Sequence, residues 1–324
     1  MKKIKAGIIG GAGYTGGEML RILLQHPNVD IAFVHSRSNA GVPVYQVHTD
    51  LLGETDLSFS TSTEDADVLF LCVGHGEAKA FLEQNKISEQ TVLIDLSQDF
   101  RLYAKNTMGE RAFVYGLPEA YKEQIVASKS IANPGCFATA IQLALLPLSV
   151  KQLLSEVHVT GITGATGAGQ KLQASSQFAW RVNNIQAYKA LAHQHVGEIV
   201  QTLNAFQDSF KQLDFMPWRG DFARGIYVSA YMKTDISLDI AYELYEAYYS
   251  QHPFTHVSMD VVDLKQVVNT NKCIVSLEKV EDKLIVHAAI DNLLKGASGQ
   301  AVQNMNLVFG LPEDAGLKLK SIAF

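Results

Sequence analysis

"IKAGIIGGAGYTGGEMLRILLQHPNVDIAFVHSRS", residues 4–38, decides the fold class. Residues 4–10 form a short apolar run that ends in glycines, the pattern of a buried parallel strand. Residues 17–26 carry apolar side chains at helical spacing, and 29–36 are apolar again. Strand, glycine turn, helix and strand make one βαβ unit. In the turn, Gly10, Gly13 and Gly16 recur every third residue, and Tyr14 and Thr15 lie between them. Glycines there let the backbone turn tightly and approach a pyrophosphate, to which the following helix offers unpaired N–H groups. Glycines also serve plain tight turns. The position between a strand and a helix favours a dinucleotide site.

The end of the second strand selects the cofactor. An acid there would bond the ribose 2′-hydroxyl of NAD. Residues 35–41, "HSRSNAG", contain no acid. Ser36, Arg37 and Ser38 can donate to a 2′-phosphate, and a guanidinium suits phosphate geometry, which favours NADP(H) over NAD. A solvated loop arginine is the plain alternative.

Working outward, 66–73 and 91–97 read as further buried strands, with a helix over 76–85 between them. This alternation predicts an α/β Rossmann-type doubly wound parallel sheet. The texture changes after Cys136. A helix over 139–148 and a strand over 155–164 precede segments from 225 onward that alternate as antiparallel strands do, with a helix at 237–251. The second domain is therefore expected to be α+β, with a closing helix over 296–311. The expected division is 1–135, with a C-terminal helix at about 300–324, and 136–299.

The bulk numbers exclude several classes. A chain of 324 residues with formal net charge -6 is not a nonspecific nucleic-acid binder, which needs a basic excess. Cys72, Cys136 and Cys273 are far apart without CxxC spacing, against a disulfide framework or zinc ribbon and in keeping with reduced thiols in a cytoplasmic protein. The basic start is cut by glycines too soon for a signal-peptide core, and no stretch is long and apolar enough to span a membrane.

The chemistry centres on "IANPGCFAT", 131–139. Pro134 and Gly135 set Cys136 just ahead of a helix, whose N-terminus stabilises a thiolate. Free cysteine is also a common buried residue. Cys72 and Cys273 sit in strand patterns and read as structural. "HQHVGEIV", 193–200, places His193 and His195 two apart with Glu198 beyond. Either imidazole can serve a cysteine as general base and the substrate as general acid. The set lacks a fourth ligand, so no metal is expected. Arg101 ends "DLSQDFR", Arg219 and Arg224 lie in "RGDFARGIY", and all three suit an anionic substrate. "TGATGAG", 163–169, is a second glycine-rich loop. Gly164 and Gly167 in it are candidates to pass close to the cofactor.

With these residues in hand, the chain resembles the N-acetyl-gamma-glutamyl-phosphate reductases of arginine biosynthesis, relatives of the aspartate-semialdehyde dehydrogenases. The similarity runs along nearly the whole chain. "IANPGCFATAIQLALLP" matches the family's cysteine signature, and "GGAGYTGGE", "DLSQDFR", "TGATGAG", "HQHVGEI", "RGI" and "DNLLKGASGQAVQNMN" fall in the family's order. The resemblance implies that Cys136 attacks an acyl phosphate, that NADPH reduces the resulting thioester, and that an aldehyde leaves. It implies an acid/base role within His193 and His195, without choosing between them. Asn133, Arg101, Arg219 and Arg224 become substrate-binding candidates. The α+β domain becomes a substrate and dimerisation domain, in a homodimer or homotetramer, and the last helix rejoins the cofactor domain.

The chain departs from the family pattern at Gln194, Val196 and Gly197, and at Trp218 and Arg219, where a Pro-His pair is usual. The added arginine can pair with a second carboxylate, so an N-succinyl substrate stands beside the N-acetyl one. Sibling semialdehyde dehydrogenases acting on aspartyl or aminoadipyl phosphates are a second alternative. A noncatalytic NADP-binding module is a third, since fold does not fix function.

Overall fold

A computed structural model describes residues 3–322 apart from 171, 173, 175, 176 and 211. The chain divides into two units. One runs to Gly135 and regains Ala297–Lys318; the other is Cys136–Gly296 joined by the chain from Leu319. Residues 323 and 324 of the expected C-terminal helix lie outside the described residues.

The first unit opens with β1 (Ile4–Ile9), α1 (Tyr14–Leu24) and β2 (Val29–His35). Then come α2 (Val44–Val47), β3 (Phe59–Ser60), β4 (Val68–Leu71), α3 (Glu77–Gln84) and β5 (Val92–Asp95). A hairpin of β6 (Thr107–Met108) and β7 (Arg111–Ala112) precedes β8 (Val114–Tyr115), α4 (Pro118–Val126) and β9 (Ser130–Ala132). Among the described residues the main sheet has the order β3-β2-β1-β4-β5-β9-β8, and every pair in it is parallel. Such strands are covered on both faces, and β4 is buried at all four positions. Phe70 is fully buried there, which contributes about 2–3 kcal/mol by removal from water. Strand order reverses beside β1, so the turn after β1 lies at the topological switch point, where open α/β sheets bind ligands.

The second unit opens with α5 (Cys136–Val150), β10 (Val157–Thr163) and α6 (Phe178–Arg181). β11 (Gln186–Ala187), α7 (His195–Phe206), β12 (Leu213–Arg219), β13 (Ile226–Lys233) and α8 (Leu238–Tyr249) follow. The unit's strands end with β14 (Thr255–Ser258), β15 (Cys273–Val280) and β16 (Lys283–Ile290). The sheet order is β11-β12-β10-β13-β16-β15-β14. It is mixed: β10–β12 and β14–β15 are parallel and the other pairs antiparallel. The antiparallel expectation beyond residue 225 thus fails at β14, because residues 259–272 carry the chain from β14 to its neighbour β15 as a crossover rather than a hairpin.

α5 is the core helix of this unit. It is apolar all round and buried from Phe137 to Ser149, as a helix packed on every side must be. Pro147 lies inside it and has no N–H to give to the carbonyl of Leu143. The Tyr249 hydroxyl of α8 donates to that carbonyl instead, at 2.5 Å, and Tyr245 donates to Ala144 one residue on. Tyr249 therefore satisfies the helix where proline breaks its ladder, and Tyr245 anchors the neighbouring carbonyl.

The closing segment differs from the expected 296–311 helix. A π-helical turn, Leu294–Ser298, precedes α9 (Gly299–Val308), which packs with α1 and α4 in the first unit. Among the described residues no helix is long and apolar enough to cross a membrane.

Candidate active site

Each unit presents one part of the machinery. In the first, Gly10 adopts φ +80°, and a Cβ there would lie 2.4 Å from the Cys72 carbonyl oxygen. Gly16 packs so closely that a Cβ would lie 2.6 Å from Gly11 Cα. Neither position accepts a side chain without backbone movement. α1 has Gly13 as its N-cap with no side-chain hydrogen bond, and no acidic residue in its first turn. Its leading N–H groups are thus left for an anion. His48 holds the turn from below, its Nε2 2.8 Å from the Gly11 carbonyl. Burial lowers the pKa of His48, so it stays neutral. At the end of β2, Ser36, Ser38 and Asn39 are joined by hydrogen bonds, and Arg37 is exposed beside them. The turn, the open helix end and the acid-free β2 terminus fit a dinucleotide bearing a 2′-phosphate.

Other candidates in this unit serve its own framework. Asn133 is 1% exposed; its amide donates to the Ala297 carbonyl and accepts from Asn304. The buried Arg101 donates through Nε to the Asn133 carbonyl and through Nη2 to that of Leu96. Both brace the turn leading to Cys136. Sequence reasoning missed Asp95, fully buried at the end of β5 and pushed up to about 7 by burial. Ser97 donates to it through both backbone and hydroxyl. Cys72 is buried, and burial pushes its thiol up to about 12, an inert thiol as expected.

In the second unit Cys136 is the first residue of α5 and half-buried, while Cys273 is buried. Gly296 lies against it: a Cβ there would sit 2.8 Å from Cys136 Cβ. The next residue, Phe137, turns its ring edge toward His193, at 5.7 Å between centroids. His193 also packs against Tyr188 at 5.7 Å, Phe215 at 5.4 Å and His195 at 4.6 Å. Burial, then the charge of Lys189, lowers the His193 pKa to about 4, so its ring is neutral near pH 7. His195 opens α7, with Nε2 3.8 Å from the Glu198 carboxylate one turn on.

Tyr188 joins these groups to Arg219. Burial pushes its phenol up to about 12, and negative charge at Cys136 adds to the rise. The Arg219 guanidinium lies over the Tyr188 ring, 4.8 Å from the centroid. The structure therefore brings Cys136, His193, His195 and Arg219 into one cluster. Tyr188 and Glu198 are the members sequence reasoning did not assign. Arg224 is placed differently: its fork pairs with Asp291, Nε to Oδ2 at 3.0 Å and Nη2 to Oδ1 at 3.2 Å. The loop with Gly164 and Gly167 is tied to Arg224's own loop by Gly164 N–H to the Gly225 carbonyl and the Thr166 hydroxyl to that of Ala223. Among the described residues, the grouping with metal-ligand spacing is Glu156, His158 and Asp214, not Cys136 with the two histidines.

Comparison with known proteins agrees with both halves. Residues 5–128 match the semialdehyde dehydrogenase NAD binding domain, and 136–292 match the semialdehyde dehydrogenase dimerisation domain. The N-acetyl-gamma-glutamyl-phosphate reductase of Bacteroides fragilis is 52% identical, over 99% of this chain and 100% of its own. That of Azobacteroides pseudotrichonymphae is 54% identical over the same shares. Among solved structures, aspartate semialdehyde dehydrogenase II from Vibrio cholerae superposes with a TM-score of 0.74 at 17% identity, over 96% of this chain and 99% of that one. The chain belongs to the semialdehyde dehydrogenase family, on the branch of the N-acetyl-gamma-glutamyl-phosphate reductases.

Proposed function

We propose that Cys136 is the nucleophile with which this enzyme reduces N-acetyl-gamma-glutamyl phosphate to N-acetylglutamate 5-semialdehyde and phosphate. The observation that carries this reading is the placement of Cys136 at the start of α5 within one cluster with two histidines, Tyr188 and Arg219. The helix terminus stabilises negative charge on sulfur. The thiolate attacks the γ-carbonyl carbon and phosphate leaves, giving a thioester. NADPH, when bound, supplies the hydride that reduces this carbonyl. The resulting thiohemiacetal collapses, releasing the aldehyde and returning the thiolate.

His195 is the acid/base residue of this scheme. Glu198 lies 3.8 Å from its Nε2, the orienting arrangement that a working histidine needs. His193, kept neutral by burial, forms the wall beside it and offers a hydrogen bond rather than a proton. The cofactor is NADP(H), held by the Gly10–Gly16 turn with Tyr14 and Thr15, and by Ser36, Arg37 and Ser38 at the 2′-phosphate. Gly164 and Gly167 serve the cofactor as backbone neighbours. Arg101, Asn133, Arg219 and Arg224 serve the substrate, and Asn133 and Arg101 do so by shaping the turn before Cys136. The protein works in the cytoplasm as a homodimer or homotetramer. The exposed Tyr231 and Val280 on the sheet of the second unit mark the surface that another copy covers.

The test is reduction of NADP by N-acetylglutamate semialdehyde with and without phosphate, in wild type and Cys136→Ala. Activity that needs phosphate and is lost in the variant supports the reading; an active variant refutes the thioester. One observation favours a second reading. Arg219 has a buried Nε without a hydrogen-bond partner, as an additional carboxylate on an N-succinyl substrate would require. Running the N-succinyl semialdehyde in parallel separates the two.

A further inference from the structure

Arg181 ends α6 and is 7% exposed. Its Nη2 donates to the Asn184 carbonyl at 2.6 Å, while Nε and Nη1 are buried without a hydrogen-bond partner. Arg219, at the end of β12, has a buried Nε in the same condition. The backbone brings the segment that follows Arg181 against the strand end that carries Arg219. Gln186 pairs with Arg219 across β11 and β12, and the Asn183 N–H donates to the Asp221 carboxylate. Asp221 is the acid nearest in sequence to Arg219. Among the described residues, neither arginine has a carboxylate within ion-pair distance.

A guanidinium cannot shed its charge, and buried N–H groups in native proteins are bonded. A buried charge without a counter-charge is strongly destabilising. Three donor nitrogens on two arginines of these adjoining segments share this deficit, so the group that completes them is an anion. Arg224 cannot explain the same need, because its fork is already on Asp291.

We infer that Arg181 and Arg219 together form an oxyanion receptor that holds one anionic group of the substrate, a carboxylate or a phosphoryl. Through Tyr188, Arg219 ties this receptor to Cys136. The inference rests on the acyl-phosphate reductase reading for its substrate, and it adds Arg181 as a specificity-determining residue.

The experiment compares wild type, Arg181→Gln and Arg181→Lys in the phosphate-dependent assay, varying in turn inorganic phosphate, N-acetylglutamate semialdehyde and N-succinylglutamate semialdehyde. For Arg181→Gln, the KM of at least one reactant rises by about tenfold or more, the usual weight of a charge-assisted hydrogen bond, with kcat within about threefold. Arg181→Lys recovers part of the loss. A rise for phosphate assigns the phosphoryl group. A rise for both semialdehydes assigns their shared carboxylate, and a rise for the succinyl compound alone assigns its second one.

Thermal melting gives a readout without turnover. Ligand-free Arg181→Gln melts no lower than wild type, because an uncompensated charge has gone, and loses the stabilisation wild type gains from the assigned anion. KM values within twofold of wild type for all three reactants overturn the inference, as does a lower ligand-free melting point with unchanged KM. Wild type that shows no phosphate-dependent turnover refutes the reductase reading instead, and the melting arm then still decides whether Arg181 binds an anion.

Discussion

The backbone N–H of His195 donates to Nδ1 of His193 at 3.2 Å. A peptide N–H can only donate, so Nδ1 accepts, and the proton of neutral His193 sits on Nε2. His193 is thereby fixed as a donor, and on the proposed assignment His195, beside Glu198, exchanges the proton. His195→Asn should lower kcat by about 10²–10⁴-fold, the range for loss of a general acid/base. His193→Asn should cost roughly tenfold or less, chiefly in KM, as loss of a positioning donor. Steady-state kinetics of the two variants checks the assignment, and the reverse order of effects would exchange the roles.

Stability should depend on pH through His193. Its folded pKa of about 4 lies below the ordinary 6.5, so between these values the unfolded chain binds more protons than the folded one. Its contribution is complete above about pH 6.5 and is lost as pH falls toward 4. A shift of this size, reduced for partial screening, is worth about 2 kcal/mol. Chemical denaturation from pH 7 to 4.5 should show this loss in wild type and a flatter profile in His193→Asn. Parallel profiles would show that other groups carry the dependence.

Gly296 fixes the position of Cys136, the proposed nucleophile. An added Cβ would meet Cys136 Cβ at 2.8 Å, where neither atom is the end of a flexible chain. Gly296→Ala should therefore displace Cys136 and lower kcat by about 10²-fold, the effect of a misplacement near 1 Å. The rate of thiol alkylation should change with it. Unchanged kcat would mean that α5 and the π turn separate at no cost.

Arg37 should carry coenzyme choice. It is exposed at the end of β2, where no acid stands to hold a ribose 2′-hydroxyl. Arg37→Glu should weaken NADPH binding by about 10–100-fold while leaving NADH within about twofold, as loss of a charge-assisted phosphate contact predicts. Fluorescence titration of both coenzymes reads the ratio. Equal weakening of both would place Arg37 outside the 2′-phosphate site.

Much of this architecture was legible because local pattern and tertiary role coincide. β15 and β16 lie in the stretch beyond residue 225 that reads as antiparallel strands, and they do pair antiparallel around the short turn at Glu281 and Asp282. The first βαβ unit is equally plain, its glycines having the one arrangement that packs. β12 was missed because Pro217 argues against an inner strand. In the structure Pro217 sits beside two-residue β11, and its carbonyl accepts from the Tyr188 N–H. α4 was missed for its weak apolar stripe, though Pro118 at its first turn was an available signal. The candidate cluster was legible at Cys136 and the histidines, which the fold brings together and whose chemistry is in their side chains. It was not legible at Asn133 and Arg224, whose partners Ala297, Asn304 and Asp291 are brought to them only by the fold. Arg181 was hidden for the opposite reason: what distinguishes it is the partners it lacks.

α9 gives the chain an order of birth that differs from its order of domains. The helix seats against α1 and α4, yet the ribosome makes it after the whole of Cys136–Gly296. The second unit, whose body Cys136–Gly296 is one unbroken stretch, is the first that can close. The nucleotide-binding unit, begun first, must wait with that seat open until Asn304 emerges and bonds to Asn133 and the Gly116 carbonyl. A stop codon shortly before residue 299 would therefore damage the amino-terminal half of the protein most, and a nascent chain arrested there would be cleaved by protease before Gly135 sooner than after it.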